Sequence, residues 1–241
     1  MKLYIVGDPQ VKDEKQFERA KKKRDLILQQ ANENDCVLIP GDLTSHGIGS
    51  FPNNPLTWRV SFCGNTNELQ TVKETLLHPL EKKNILIYLC HGNHDDHWAL
   101  PKCYKPVLDY ITNKHGSLRY HKPHKPCSAT RGVSIISCGK YPNKDDSSWL
   151  NTILSNLDNN EKCIIMFHFN ISGPYSDWWS DHEKKVFGKQ IKNHKDKILA
   201  ICIGHHHTSY IREWNGITVI NSSGNGLISI DQNGKTYFQN T

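Results

Sequence analysis

The chain has 241 residues and a net charge of +6 at neutral pH. Its mean hydropathy is −0.62, and no apolar stretch approaches the roughly 20 residues that cross a bilayer, which excludes a membrane-spanning helix. A pI of about 8.8 permits an anionic partner, nucleic acid included, without requiring one.

The first element is a strand over Lys2–Val6 that runs into Gly7-Asp8-Pro9-Gln10. This start is too short for a signal-peptide apolar region, so a cytoplasmic protein is expected. A helix follows from about Asp13 to Ala31, with one apolar stripe of Phe17, Ala20, Ile27 and Leu28. Its basic run, Lys21-Lys22-Lys23-Arg24, reads as a solvated outer face. Cys36–Ile39 forms a second strand and leads into Pro40-Gly41-Asp42. Thr44–Thr66 has no period and scatters Phe51, Trp58 and Phe62 among Gly, Asn and Pro, as an added loop would.

A helix over Glu68–Lys83 precedes the strand Ile85–Cys90, which ends in His91-Gly92-Asn93-His94-Asp95. Helices over Pro101–Lys114 and Asp146–Leu157 flank further strands. Cys163–Phe167 runs into His168, and then comes an aromatic loop, Asn170–Trp179, which reads as a binding wall or a packed-down anchor. A helix over Asp181–His194 leads to the strand Ile198–Ile203 and to Gly204-His205-His206-His207. The tail reads as strands over Tyr210–Trp214, Thr218–Ile220, Leu227–Ile230 and Thr236–Phe238, joined by Asn215-Gly216 and Asn233-Gly234 turns. The expected architecture is α/β, two packed β-sheets with helices outside, in a single domain over residues 1–241. None of the eight cysteines forms a C-x-x-C pair, and most fall in or beside strands, which suits small buried hydrophobes in a reducing compartment.

Five polar clusters therefore close five apolar runs. Parallel strand ends gather at one rim, where layered α/β proteins place their ligands. Asp, Asn, Gln and His are hard-to-borderline donors that suit Mn, Fe, Zn or Mg. A carboxylate shared by two divalent ions bridges them at about 3.5–4 Å, and the pair would clamp a phosphate while hydroxide attacks in line. His94 is placed to protonate the leaving oxygen, with Asp95 beside it to orient the ring.

The blocks Asp8-x-Gln10, Gly41-Asp42, Gly92-Asn93-His94-Asp95, His168 and Gly204-His205-x-His207 resemble the calcineurin-like metallophosphoesterase superfamily, in its order and across most of the chain. The resemblance implies a double β-sandwich flanked by helices. It implies one ion on Asp8, Gln10, Asp42 and His207 and a second on Asp42, Asn93, His168 and His205, with His94 and Asp95 catalytic. Gln10 departs from the His of most members. Its neutral amide is the weaker donor, which puts Mn first among two divalent ions, with Fe, Zn, Mg or Ni as alternatives. The loop after Asp42 lacks the Asp-Arg pair of protein Ser/Thr phosphatases, and Asp95 replaces their Glu, both of which argue against that class.

The expected function is hydrolysis of a phosphomonoester or phosphodiester of a small or nucleotide-like substrate. A nuclease and a non-catalytic binding member of the fold are the alternatives. His46, Arg59, Asn170 and Tyr175 are candidate phosphate or leaving-group contacts, and His206 has no role assigned. The remaining histidines (His78, His97, His115, His121, His124, His182, His194) read as surface groups.

Overall fold

In the computed structural model, residues 1–10, 13–45, 68–96, 101–124, 132–143 and 147–241 are described. The insert around Phe51, Trp58 and Phe62, with His46 and Arg59, and also His97, lie outside them.

Eleven strands among the described residues form two sheets. The first has the order β11 (Thr236–Gln239), β10 (Leu227–Asp231), β1 (Lys2–Ile5), β2 (Cys36–Pro40), β3 (Leu86–Cys90). The second has the order β4 (Tyr120–His124), β5 (Val133–Ser137), β6 (Lys162–Met166), β7 (Ile198–Ile203), β9 (Ile217–Ser222), β8 (Ser209–Trp214). β1–β2–β3 and β5–β6–β7–β9 are parallel, whereas β4, β8, β10 and β11 join antiparallel.

Side chains alternate between faces along a strand, so each central strand feeds two cores. Leu3 and Ile5 of β1, with Cys36 and Leu38 of β2, meet Ile164, Met166, Ala200 and Cys202 of the second sheet. Tyr4, Val37, Ile39 and Leu89 turn outward, against Ala20 and Ile27 of α1 (Glu14–Gln30) and Val107 and Ile111 of α4 (Pro101–His115). α2 (Glu68–Val72), a π turn (Lys73–Leu77) and α3 (His78–Lys82) take the place of the single helix expected there, and Leu76, Leu77 and Leu80 are buried against the same face. Leu150 and Leu154 of α5 (Ser147–Asn156) and Phe187 and Ile191 of α6 (Asp181–Asn193) cover the far side of the second sheet. The expected layers, helix on sheet on sheet on helix, are present.

Two expectations fail for physical reasons. On α1 the buried stripe is Gln16, Ala20, Lys23 and Ile27, spaced by three and four residues as one helical face requires. Lys23 is thus inside the protein, 1% exposed, its ammonium donating to the carbonyl of Ser222. Burial pulls its pKa down to about 7, against the opposing pull of Asp8. His115 and His124 are likewise buried, not on the surface. His115 accepts the Leu89 backbone N–H at 3.1 Å, and the Nδ1 of His124 pairs with the Tyr88 hydroxyl at 3.0 Å.

Cys36, Cys90, Cys138, Cys163 and Cys202 are free and buried, as their strand positions predict. Cys103 is disulfide-bonded, a feature of oxidising surroundings, so the cysteines give the expected reducing compartment no support. No described helix is long and apolar enough to cross a membrane.

Candidate metal centre

The parallel strands of both sheets end at one rim, and the chain turns sharply as it leaves three of them. Asp8 after β1, Asp42 after β2 and His205 after β7 have φ of 49°, 52° and 67°. Such a backbone is disfavoured for residues with a Cβ and persists where surrounding structure enforces it, commonly at functional sites. The motif glycines have a spatial role: a Cβ on Gly92 would collide with the Asp42 carboxylate, and one on Gly204 with that of Asp8.

Asp42, His168 and His205 each aim a ligand atom into one volume, with those atoms within 4.8 Å of one another. Nε2 of His168 lies 2.9 Å from Asn93 Oδ1, 3.2 Å from His205 Nδ1 and 3.3 Å from Asp42 Oδ2. Its other nitrogen donates to the Pro40 carbonyl at 3.0 Å, which fixes the ring and leaves Nε2 to coordinate. The four residues expected to share one ion therefore converge.

The other expected set lies alongside. Asp8 Oδ1 is 3.6 Å from His168 Nδ1, and Asp8 Oδ2 is 3.9 Å from His207 Nε2. Gln10, 4% exposed, donates its amide nitrogen to Asp42 Oδ2 at 2.7 Å. An amide turns its donor to a carboxylate when no cation lies between them, and a flip of the same amide would present its oxygen.

The electrostatics demand positive charge. Asp8 is fully buried, and neither carboxylate oxygen meets a hydrogen-bond partner among the described residues. An unpaired buried carboxylate is costly, and burial pushes the Asp8 pKa up. Burial also acts upward on Asp42, but the adjacent His168 and His94 hold it well below the usual carboxylate range. His168 is lifted to about 9: burial opposes its protonation, and Asp42 and Asp8 more than offset that. A cation beside these carboxylates would take over that role, and His168 would then give up the Nε2 proton and coordinate. His205 is pushed down to about 3 by burial and then by His168, and its Nε2 has no partner among the described residues. A neutral imidazole nitrogen and an orphaned carboxylate facing one volume are a donor set fit for divalent ions.

His94 donates its backbone N–H to Asp42 Oδ1 at 2.9 Å and its ring Nδ1 faces the Ser45 carbonyl at 3.0 Å. Asp95 does not orient that ring, contrary to expectation. Its carboxylate accepts the backbone N–H groups of Leu43, Thr44 and Gly92 at 3.0–3.1 Å and the Thr44 hydroxyl at 3.1 Å. Asp95 thereby ties the turn after β2 to the turn after β3. Burial and Asp42 push its pKa up to about 6 against those donors.

Other side chains change role. Asn170, fully buried, holds the Pro174 carbonyl and accepts the Tyr210 hydroxyl, so it pins its loop. Asp13 had no expected part, yet its Oδ2 lies 4.0 Å from His207 Nδ1 while its Oδ1 caps α1 by accepting the Gln16 N–H. A capping signal was legible there; its neighbour 194 residues on was not. His94, Asn93, Asp42 and His205 line an open cavity of about 490 Å³, with His206, His207, Thr208, Tyr175 and Trp178 on its other walls.

The profile of the calcineurin-like phosphoesterases matches residues 1–209. No curated protein matches the sequence. Solved structures with a similar fold include GAP50, the anchor in the inner membrane complex of Plasmodium, with TM-score 0.61 and 12% identity over 100% of this chain and 88% of that one. A dimetal phosphatase from Danio rerio has TM-score 0.57 and 12% identity over 95% of each chain. A putative 5'-nucleotidase from Staphylococcus aureus has TM-score 0.55 and 12% identity over 99% of this chain and 52% of that one, so the chain spans about half its length. At such identities the likeness is one of fold.

Proposed function

The chain belongs to the calcineurin-like phosphoesterase family, and from that premise we propose that it is a two-metal hydrolase of phosphomonoesters or phosphodiesters of small or nucleotide-like molecules. The observation that carries this reading is the convergence of Asp42, His168 and His205 on one volume beside the orphaned carboxylate of Asp8. Asn93 completes the set around His168, while Asp8, Gln10 and His207 with the shared Asp42 form the second set. Two divalent ions held there would neutralise phosphate charge and supply an acidified water as nucleophile.

The chain's own groups do the rest. Pro40 fixes the His168 ring through its carbonyl, and Asp13 stands behind His207. The Ser45 carbonyl holds the Nδ1 proton of His94, which turns Nε2 away from that carbonyl. Protonated, that nitrogen donates to the leaving oxygen. Asp95 keeps the turns that carry His94 and Asp42 in register.

The test is a panel of aryl monoesters, aryl diesters, nucleotides and oligonucleotides, run on metal-stripped protein and again with Mn, Mg or Zn. Hydrolysis that vanishes on stripping and returns best with Mn is expected. Hydrolysis indifferent to stripping, or protein that binds no ion, would overturn the reading.

A further inference from the structure

The aromatic loop between β6 and α6 divides its residues by role. Trp179 is 2% exposed, packs on Phe167 and Phe187, and donates its ring N–H to the Asn170 carbonyl at 2.8 Å. The side chain of Asn170 grips the Pro174 carbonyl at 2.6 Å, and Arg212 grips that of Ser172 at 2.6 Å. The loop is thus anchored at several points. Tyr175 and Trp178 nonetheless stand 57% and 55% exposed, on the wall of the cavity that holds the candidate metal ligands. Tyr175 adopts φ of 59°, a backbone that a bulky residue rarely takes unless it is held there.

The rings are disposed as a receptor. Trp178 lies nearly parallel on Phe169, centroids 5.4 Å apart at 19°, which covers one face. Trp178 and Tyr175 stand almost perpendicular to the His205 ring, at 5.6 Å and 5.9 Å. Packing alone does not account for them, because Phe169 is 4% exposed and already closes His205 from within at 5.0 Å. Anchored aromatics beside a polar centre offer area at little entropic cost, and π faces accept any flat ring.

We propose that Tyr175 and Trp178 form the leaving-group subsite of this centre and take a planar aromatic group, a nucleobase or an aryl ring, carried by the phosphate ester. The subsite rests on the hydrolase reading above. His94 lines the same cavity, so the group that leaves toward its proton is the group that reaches these rings.

The experiment compares parent, Tyr175→Ala/Trp178→Ala and Trp178→Phe in Mn, on a nucleoside monophosphate, naphthyl phosphate and the ring-free glycerol phosphate. The ratio of kcat/KM for ring-bearing over ring-free substrate should fall roughly 10- to 100-fold in the double variant, the usual scale of a lost stacking side chain. The loss should sit in KM, metal content should match the parent, and Trp178→Phe should recover most of it. A fall for the nucleotide alone assigns a nucleobase, and a fall for both assigns any flat ring. An unchanged ratio, or a loss that tracks lost metal, would overturn the subsite.

If the parent hydrolyses none of these esters, the hydrolase reading fails and tryptophan fluorescence decides the subsite separately. Quenching by the nucleotide or naphthyl phosphate, absent with glycerol phosphate and in Trp178→Phe, sustains it, and no quenching overturns it.

Discussion

His94 and Gln10 are the residues whose exchange reads the chemistry most directly. The His94 ring is held by a backbone carbonyl, and its backbone N–H, which alanine retains, holds Asp42. His94→Ala should therefore leave metal content near that of the parent while turnover falls about 10²- to 10⁴-fold, the scale of one acid–base group. The loss should be smaller for nitrophenyl esters, whose leaving group needs little protonation. Equal rates for parent and variant on alkyl esters would remove His94 from the mechanism. Gln10 touches Asp42 through its amide. Gln10→His should tighten the ion shared with Asp8 and His207 and move the preferred activator toward Zn, because imidazole is the stronger donor. Calorimetric metal titration of both forms checks this, and identical affinities would place Gln10 outside the ligand set.

At the scale of the element, helix α1 carries a charge into the core. Lys23 has a folded pKa of about 7 against a reference value of 10.5. Between those values the unfolded chain holds a proton that the folded chain has released, so this group makes stability rise with pH across that window. Lys23→Met keeps the volume and removes the titration. Its advantage over the parent should shrink from about pH 6.5 to about pH 9 by on the order of 2 kcal/mol. Denaturant unfolding of both proteins at the two pH values measures this, and a difference constant with pH would mean that Lys23 stays charged inside the fold. The hairpin β8–β9 shows a simpler logic. Asn215 and Gly216 have φ of 52° and 74° and join Trp214 to Ile217, the tight turn that an Asn-Gly pair encodes. Asn233-Gly234 instead sits in a longer connection, where Asp231 accepts the backbone N–H groups of Asn233 and Lys235.

For the whole molecule, the candidate ligands come from both sheets: Asp8, Asp42 and Asn93 follow strands of one, and His168, His205 and His207 follow strands of the other. Ions bound there would fasten the two sheets together, and a ligand that binds only the folded state stabilises it by mass action. Refilling stripped protein with Mn at about 100 times the dissociation constant should add about 2.7 kcal/mol per site, or very roughly 5–10 °C in Tm for a chain of this size. A melt followed through a Mn titration should begin to rise near the dissociation constant and then climb with the logarithm of free Mn. A flat response would separate metal binding from folding.

The sequence by itself determined most of the elements and named the candidate donors at the strand ends. Apolar runs closed by Asp8, Asp42, Asn93, His168 and His205 are local patterns, and local patterns fix strands, turns and the order of donors. Lys23 was misplaced on the solvated face, because a basic run outweighed its spacing from Ala20 and Ile27, which sets it on their buried face. Tertiary structure alone decided who meets whom. Asp95 bonds to Leu43 and Thr44, about 50 positions back, and leaves the His94 ring to Ser45. Asp13 finds His207, and Asn170 turns inward to pin the loop that leaves Tyr175 and Trp178 facing the cavity. Such contacts join residues far apart in the chain, so their energies depend on how two sheets stack and which side chain fills the space between them. That is information a periodic pattern does not hold.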